Sequence, residues 1–259
     1  MMDNLYYLES VEPDEPDKVV IWKGQLIEKF NTDYCDIKLL RTNIYGDMLF
    51  MDNCLQSTEY DEHIYHTTLI NPIAEHIQQL GNVMILGGGE GCTAREVLKY
   101  DPKFILQIDI DHTFVNWASN TLNWDNGALK DPRVHLVYDD AWKVLKKEPY
   151  TYYDYIVVDL FDPTEQTAEY FCELLCDCTK WLNYRGYLVS YAGMYHTLKP
   201  IIYKIVDILF DKIGDKCNFI DFYTTFIPSF GGECVFLYYQ LKNPEEEENN
   251  PHLVIDVSS

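Results

Sequence analysis

At 259 residues the chain is long enough for one large α/β domain or for a small domain beside a medium one, and its 47% hydrophobic content allows a sizeable core. A formal net charge of −22 excludes unassisted binding to nucleic acid or to an anionic membrane and favours the capture of small cations. With no basic leader and no long apolar run, the chain is expected to be cytoplasmic and its eight cysteines reduced.

In chain order, residues 1–16 are acidic and poorly periodic and read as an arm. Residues 17–58 read as a small antiparallel β-hairpin domain: Ile37-Lys38-Leu39-Leu40 and Met48-Leu49-Phe50-Met51 flank the turn signals Asn43 and Gly46. Residues 56–74, polar and aromatic, link this module to the rest as a loop and a helix ending at Pro72. From Val83 a regular βα alternation begins. Strands are predicted over 104–108, 134–138, 155–158 and 187–192, with helices over 113–122, 142–147 and about 164–181 between them. A helix over 201–210 and two late strands, 219–225 and 234–239, complete the pattern. The expected fold is therefore a doubly wound, mostly parallel, seven-stranded Rossmann-like sheet of the methyltransferase type, spanning 59–242 behind the hairpin domain. Residues 243–259, with four glutamates in a row, form an acidic tail.

The stretch that organises this alternation is Val83-Met84-Ile85-Leu86-Gly87-Gly88-Gly89-Glu90-Gly91, running into Cys92-Thr93-Ala94-Arg95. Four apolar residues make a buried strand, and the glycines permit a tight turn into a helix. Gly87 and Gly89 would line a nucleoside pocket. Glu90 is out of place in a phosphate cradle, because a carboxylate repels pyrophosphate and attracts a cation, and Cys92 takes the place of the third glycine of a dinucleotide fingerprint. Its alternative role is to cap the next helix.

Successive strands and their loops then end in acids: Glu90, Asp109, Asp140 and Asp159, with Asp162 three residues on. Ligands of such sheets sit beyond the carboxyl ends of the strands. Asp109, about twenty residues past the glycine loop, suits a ribose diol, Asp140 would accept from an adenine amino group, and Asp159 and Asp162 would face the reaction centre. The nucleoside should then lack phosphates and carry positive charge, as S-adenosylmethionine derivatives do. A donor carboxylate facing Glu90 at ~4 Å would cost roughly 4 kcal/mol at an effective dielectric of about 20, and an ammonium would gain a similar amount, so the decarboxylated form is preferred. No metal is expected, since His76, His112, His135 and His196 lack ligand spacing.

These residues, with Gln56-Ser57-Thr58-Glu59-Tyr60-Asp61-Glu62-His63-Ile64-Tyr65-His66, Asp131-Pro132-Arg133-Val134 and Asp159-Leu160-Phe161-Asp162-Pro163, make the chain resemble the polyamine aminopropyltransferases, the spermidine and spermine synthase family. The resemblance implies decarboxylated S-adenosylmethionine as co-substrate, no prosthetic group, a polyamine acceptor and a homodimer held through the hairpin module. It implies Asp159 as the catalytic carboxylate with Tyr65 beside the reacting amine. It assigns Gly87, Gly89, Glu90, Asp109, Asp140 and Gln56 to the donor, and Asp162, Glu59, His66, Phe230 and Tyr191 to the acceptor. Tyr223-Thr224-Thr225-Phe226-Ile227-Pro228-Ser229-Phe230 is similar to the thermospermine synthase branch and favours a triamine acceptor over putrescine or agmatine.

Three departures from the family pattern bear on activity: Cys35 in place of a glutamine at the donor, Tyr191 in place of another, and a short loop after Pro163. They leave open a silent homologue that only binds nucleoside or polyamine. A methyltransferase on the same sheet is the other alternative, and Glu90 opposes it.

Overall fold

The computed structural model describes residues 5–10, 17–77 and 80–245. Its first unit is a five-stranded antiparallel sheet in the order β1-β2-β3-β4-β5. The strands are β1 (Tyr6–Ser10), β2 (Val20–Asn31), β3 (Asp36–Thr42), β4 (Gly46–Met51) and β5 (Cys54–Thr58). Between β4 and β5, Asp52 and Asn53 both adopt positive φ (50° and 66°), the backbone that lets a two-residue turn follow the twist of its strands. Tyr6–Ser10 falls in the segment expected to be an arm. It is instead a strand paired with Val20–Gly24 of β2, burying Leu8. Residues 11–16 of that segment, and 246–259 of the expected tail, lie outside the described residues.

Helix α1 (Glu62–Ala74) follows β5 after three residues, and Pro72 sits inside its last turn rather than ending it. The second unit then alternates strands and helices. It comprises β6 (Asn82–Gly87), α2 (Cys92–Leu98), β7 (Phe104–Asp109), α3 (His112–Thr121), β8 (Val134–Tyr138) and α4 (Ala141–Leu145). The chain continues through β9 (Tyr153–Asp159), α5 (Ala168–Cys178), β10 (Leu182–Met194), α6 (Tyr195–Ile213), β11 (Cys217–Ile227) and β12 (Gly232–Leu241). The seven strands lie in the order β11-β12-β10-β9-β6-β7-β8. Neighbours from β10 to β8 are parallel, and β12 runs antiparallel to both β10 and β11.

Strand alternation divides the core. Met84, Leu86, Ile156 and Val158 pack on one face with α5 and α6, while Val83, Ile85 and Val157 pack on the other with α1 and α2. A third cluster joins Ile37, Leu39 and Leu49 of the small sheet to Phe114 and Ala118 of α3. Phe230, in the turn between β11 and β12, packs against both the α/β core and the small sheet's own core. The order reverses at β6, with β9 on one side and β7 on the other, so the crevice beyond the carboxyl ends of β6, β7 and β9 is where a ligand fits. All eight cysteines are free thiols, and no helix among the described residues is long and apolar enough to cross a membrane.

Candidate active site

A cavity of about 780 Å³ opens at that crevice, walled on one side by the glycine loop and strand ends and on the other by the small sheet. Glu90, Asp109, Asp140, Asp159 and Asp162 all line it, as do Tyr65, Tyr191 and Phe230. The five acids thus face one hollow, which no single strand end could achieve.

The loop after β6 is shaped by close approach. Gly87 adopts φ +83°, and a side chain there would overlap the carbonyl oxygen of Asp159 on the neighbouring strand. At Gly89 a methyl group would meet Asp109 Oδ2 at 2.8 Å and the Phe114 ring at 2.9 Å. Gln107, wholly buried in β7, donates from Nε2 to the carbonyls of Gly87 (3.0 Å) and Gly88 (2.7 Å) and fixes the loop from beneath. Asp109 Oδ1 accepts the Asp111 amide at 2.8 Å. Burial, and then like charge from Glu90, Asp111 and Asp159, outweigh that bond and push its carboxyl up to about 6. Asp140 caps α4, accepting the Trp142 amide at 2.9 Å. The Trp142 ring beside it is stacked on Tyr170 at 4.2 Å.

At the end of β9, Asp159 Oδ1 accepts the hydroxyl of Tyr65 at 2.7 Å and Oδ2 accepts that of Thr93 at 3.0 Å. Burial and the nearby Glu90 raise its pKa, opposed by His66 and by those two hydroxyls. A carboxylate with a raised pKa is more basic than one in water, the property a proton acceptor needs. Asp162 Oδ2 accepts from the Tyr191 hydroxyl at 3.4 Å. Tyr65 packs edge-on against Tyr191 at 5.4 Å and Phe230 at 6.4 Å, forming an aromatic wall on the β10 side.

Beneath the loop runs a chain of alternating charges. His66, 1% exposed, donates from Nδ1 to Glu62 (backbone O at 2.7 Å, Oε2 at 3.1 Å) and from Nε2 to Glu90 Oε1 at 3.0 Å. Arg95 forks onto Glu62 at 2.8 and 2.9 Å. Burial alone would discharge the imidazole, but the bonds to Glu62 and Glu90 outweigh it and hold its pKa near 10. In return burial's effect on Glu62 is overcome by His66 and Arg95, bringing it to about 2, and His66 keeps Glu90 below the usual carboxylate range. His66 appears in both groups of three close ligand atoms among the described residues, with Glu62 and Cys92 or with Glu90 and Asp159. With both nitrogens donating to carboxylates it has no lone pair for a metal.

Most expected site residues therefore converge, and two positions differ, Glu59 and His66. Glu59 is exposed, outside the cavity lining, and its Oε2 accepts the Asp47 amide at 3.1 Å, so it turns toward the hairpin and not toward an acceptor. His66 is buried under the glycine loop, bonded to Glu90. Gln56 does line the cavity, but from β5, with its amide donating to Cys54 O at 3.3 Å. Of the 223–230 segment, Tyr223 is a core residue donating to Thr68 O, and only Ser229 and Phe230 reach the hollow. Glu90 does not cap α2, whose N-cap is Gly91 in the left-handed conformation. Cys35 lines the cavity near Asp111. Gln107, Thr93 and Arg95 were not singled out. Gln107 carries the one available signal, a polar residue inside an otherwise apolar strand.

A family model described as spermine/spermidine synthase domain matches residues 62–250. A polyamine aminopropyltransferase of Saccharolobus solfataricus is 36% identical over 199 residues, covering 69% of this chain and 66% of that protein. The chain thus spans just under two thirds of that relative's length. One of Sulfurisphaera tokodaii is 32% identical over 241 residues, 87% of this chain and 76% of its own. Among solved structures, spermidine synthase of Thermotoga maritima superposes with a TM-score of 0.78 at 19% identity, covering 93% of this chain and 80% of that one. A spermidine synthase complexed with the transition-state analogue AdoDATO gives 0.81 at 20% identity, covering 93% and 81%.

The buried His66 cation makes stability depend on pH in a defined way. Its folded-state pKa near 10 exceeds its ordinary 6.5, so its contribution is complete below 6.5 and is lost as pH rises toward 10. Glu62, lowered from 4.5 to about 2, contributes fully above 4.5 and loses its share as pH falls toward 2. Thermal unfolding midpoints should therefore decline from pH 7 to pH 10, and His66→Gln should flatten that decline. An equally steep decline in the variant would exclude His66 as its source.

Proposed function

Because the chain belongs to the spermine/spermidine synthase family, we propose that it transfers the aminopropyl group of decarboxylated S-adenosylmethionine to a polyamine nitrogen. The observation that carries this reading is the convergence of Glu90, Asp109, Asp159 and Asp162 on one cavity, with Tyr65 hydrogen-bonded to Asp159. Two positively charged reactants suit such a hollow.

The donor lies on the β7 and β8 side. Asp109 accepts from the ribose hydroxyls, Asp140 from the adenine amino group, and Glu90 from the terminal ammonium, with Gly87 and Gly89 giving the nucleoside room. The acceptor lies on the β10 side. Asp162 and Tyr191 hold its distal ammonium, and Phe230 packs on its methylenes. An amine with a pKa near ~10.4 must lose a proton to attack, at a cost of about 4.6 kcal/mol at pH 7. Asp159 takes that proton, and Tyr65 holds the carboxylate toward it. The nitrogen lone pair then forms a bond to the aminopropyl carbon as the carbon–sulfur bond breaks, and the electron pair leaves on sulfur with methylthioadenosine. Alignment of nitrogen, carbon and sulfur supplies the remaining acceleration.

Within this reading the acceptor is a triamine such as spermidine, giving thermospermine or spermine. Its support is the likeness of residues 223–230 to the thermospermine branch and the extension of the cavity past Tyr191 to Phe230 and Trp22. The protein is cytoplasmic and acts as a homodimer through the five-stranded sheet, whose strands β1 and β2 leave Tyr7, Ile21 and Ile27 exposed. Residues 17–58 form its small domain and 59–242 its catalytic domain.

Mass-spectrometric assay of the decarboxylated donor with spermidine, norspermidine, putrescine and agmatine should yield methylthioadenosine and the aminopropylated product, fastest with a triamine. Product from putrescine alone would reassign the acceptor, and no product from any amine would leave a binding protein. Asp159→Asn should lower kcat by about 10² to 10⁴ with donor affinity nearly unchanged. A kcat within a few fold of the wild type would remove Asp159 from the chemistry. Glu90→Gln should erode the preference for the decarboxylated donor over S-adenosylmethionine in competition binding. An unaltered preference would assign donor discrimination to another group.

A further inference from the structure

Asp61 occupies the N-cap position of α1, where an aspartate ordinarily accepts a backbone N–H of its own first turn. Its carboxylate makes no such bond. The residue is 1% exposed, and both of its oxygens serve other parts of the chain. Oδ2 accepts the backbone N–H of Ser229 at 2.7 Å, and Oδ1 accepts the hydroxyls of Ser229 (2.9 Å) and Thr58 (2.6 Å). Ser229 is itself buried. The node therefore joins the end of β5, the start of α1 and the turn between β11 and β12.

A carboxylate held away from water by two hydroxyls and one amide, with no cation among the described residues in its hydrogen-bonding shell, is a demanding arrangement for a helix cap alone. What it fixes is more specific. The turn after β11 closes on itself through the Gly231 N–H, which reaches the carbonyls of Ile227 and Pro228. Ser229 is its tethered residue, and the next one is Phe230. The Phe230 ring meets Tyr65, four residues after Asp61 on the same helix. One buried group thereby fixes two members of the aromatic wall of the hollow, both on the β10 side, away from Asp109 and Asp140.

We propose that Asp61 is a positioning residue for the amine acceptor: through Ser229 it holds Phe230 against Tyr65 and so keeps the aromatic wall of the acceptor side in place. This rests on the β10 side being the acceptor side, as read above.

The test is steady-state kinetics with spermidine and putrescine, and calorimetric titration of methylthioadenosine, on the full chain and on Asp61→Asn, Ser229→Ala and the double variant. Asp61→Asn should raise acceptor KM about tenfold, the effect of one lost charge-assisted hydrogen bond, with kcat and nucleoside affinity each within about twofold. Ser229→Ala, which removes only the hydroxyl, should move acceptor KM the same way by less and stays informative should Asp61→Asn fail to fold. The double variant should be no worse than Asp61→Asn alone, because both act through one contact. An unchanged acceptor KM in Ser229→Ala, an equal loss of nucleoside affinity, or effects that simply multiply would each overturn the tether. A wild-type protein inactive with every amine would instead overturn the transfer reading and the tether with it, whereas an active wild type with unaffected variants removes the tether alone.

Discussion

Repulsion between like charges is the constraint around which this protein is arranged. Eight carboxylates line one hollow, and several are deeply enclosed, a placement that burial and mutual repulsion both oppose. The fold answers with a buried ladder in which Arg95, Glu62, His66 and Glu90 alternate in sign. Asp159 and Asp109 lie beyond its end, and their raised pKa values register first their burial and then the repulsion the ladder does not relieve. The two internal cations make the anionic pocket tolerable when empty, and the residual negative charge is what a cationic reactant would satisfy.

That ladder also changes how Glu90 is understood. Taken alone, its carboxylate would meet a ligand ammonium at full strength. In the folded protein one oxygen is already bonded to His66, so part of its charge is compensated before any ligand arrives. Its orientation is fixed in exchange, and a fixed acceptor discriminates between ammonium and carboxylate by geometry as well as by sign.

Much of the fold was legible because the signals were local. Apolar runs such as Met84-Ile85-Leu86 and the acids that end them are contiguous, and each strand of the large sheet falls where its run predicts. What could not be read depended on partners distant in sequence. Nothing near Glu59 indicates that Asp47 would claim it, and nothing near His66 indicates that Glu90, 24 residues on, would turn it inward. Strand β1 escaped notice because five residues of mixed polarity carry little periodicity, and its partner in β2 supplies the order. Asp61 was hidden for the opposite reason: an aspartate before a helix already has an ordinary explanation, which the structure sets aside.

The glycine loop is usually considered from the nucleoside's viewpoint, as the place where backbone must come close to a ligand. Here the tightest crowding at Gly87 is with the main chain of Asp159 on the adjacent strand. Adding even one carbon at position 87 would wedge β6 from β9 and swing the Asp159 carboxylate out of line with Tyr65. The small residue is thus demanded by the seating of Asp159 as much as by any ligand over the loop, and the glycine turn and the end of β9 share a single steric hinge point in the main chain.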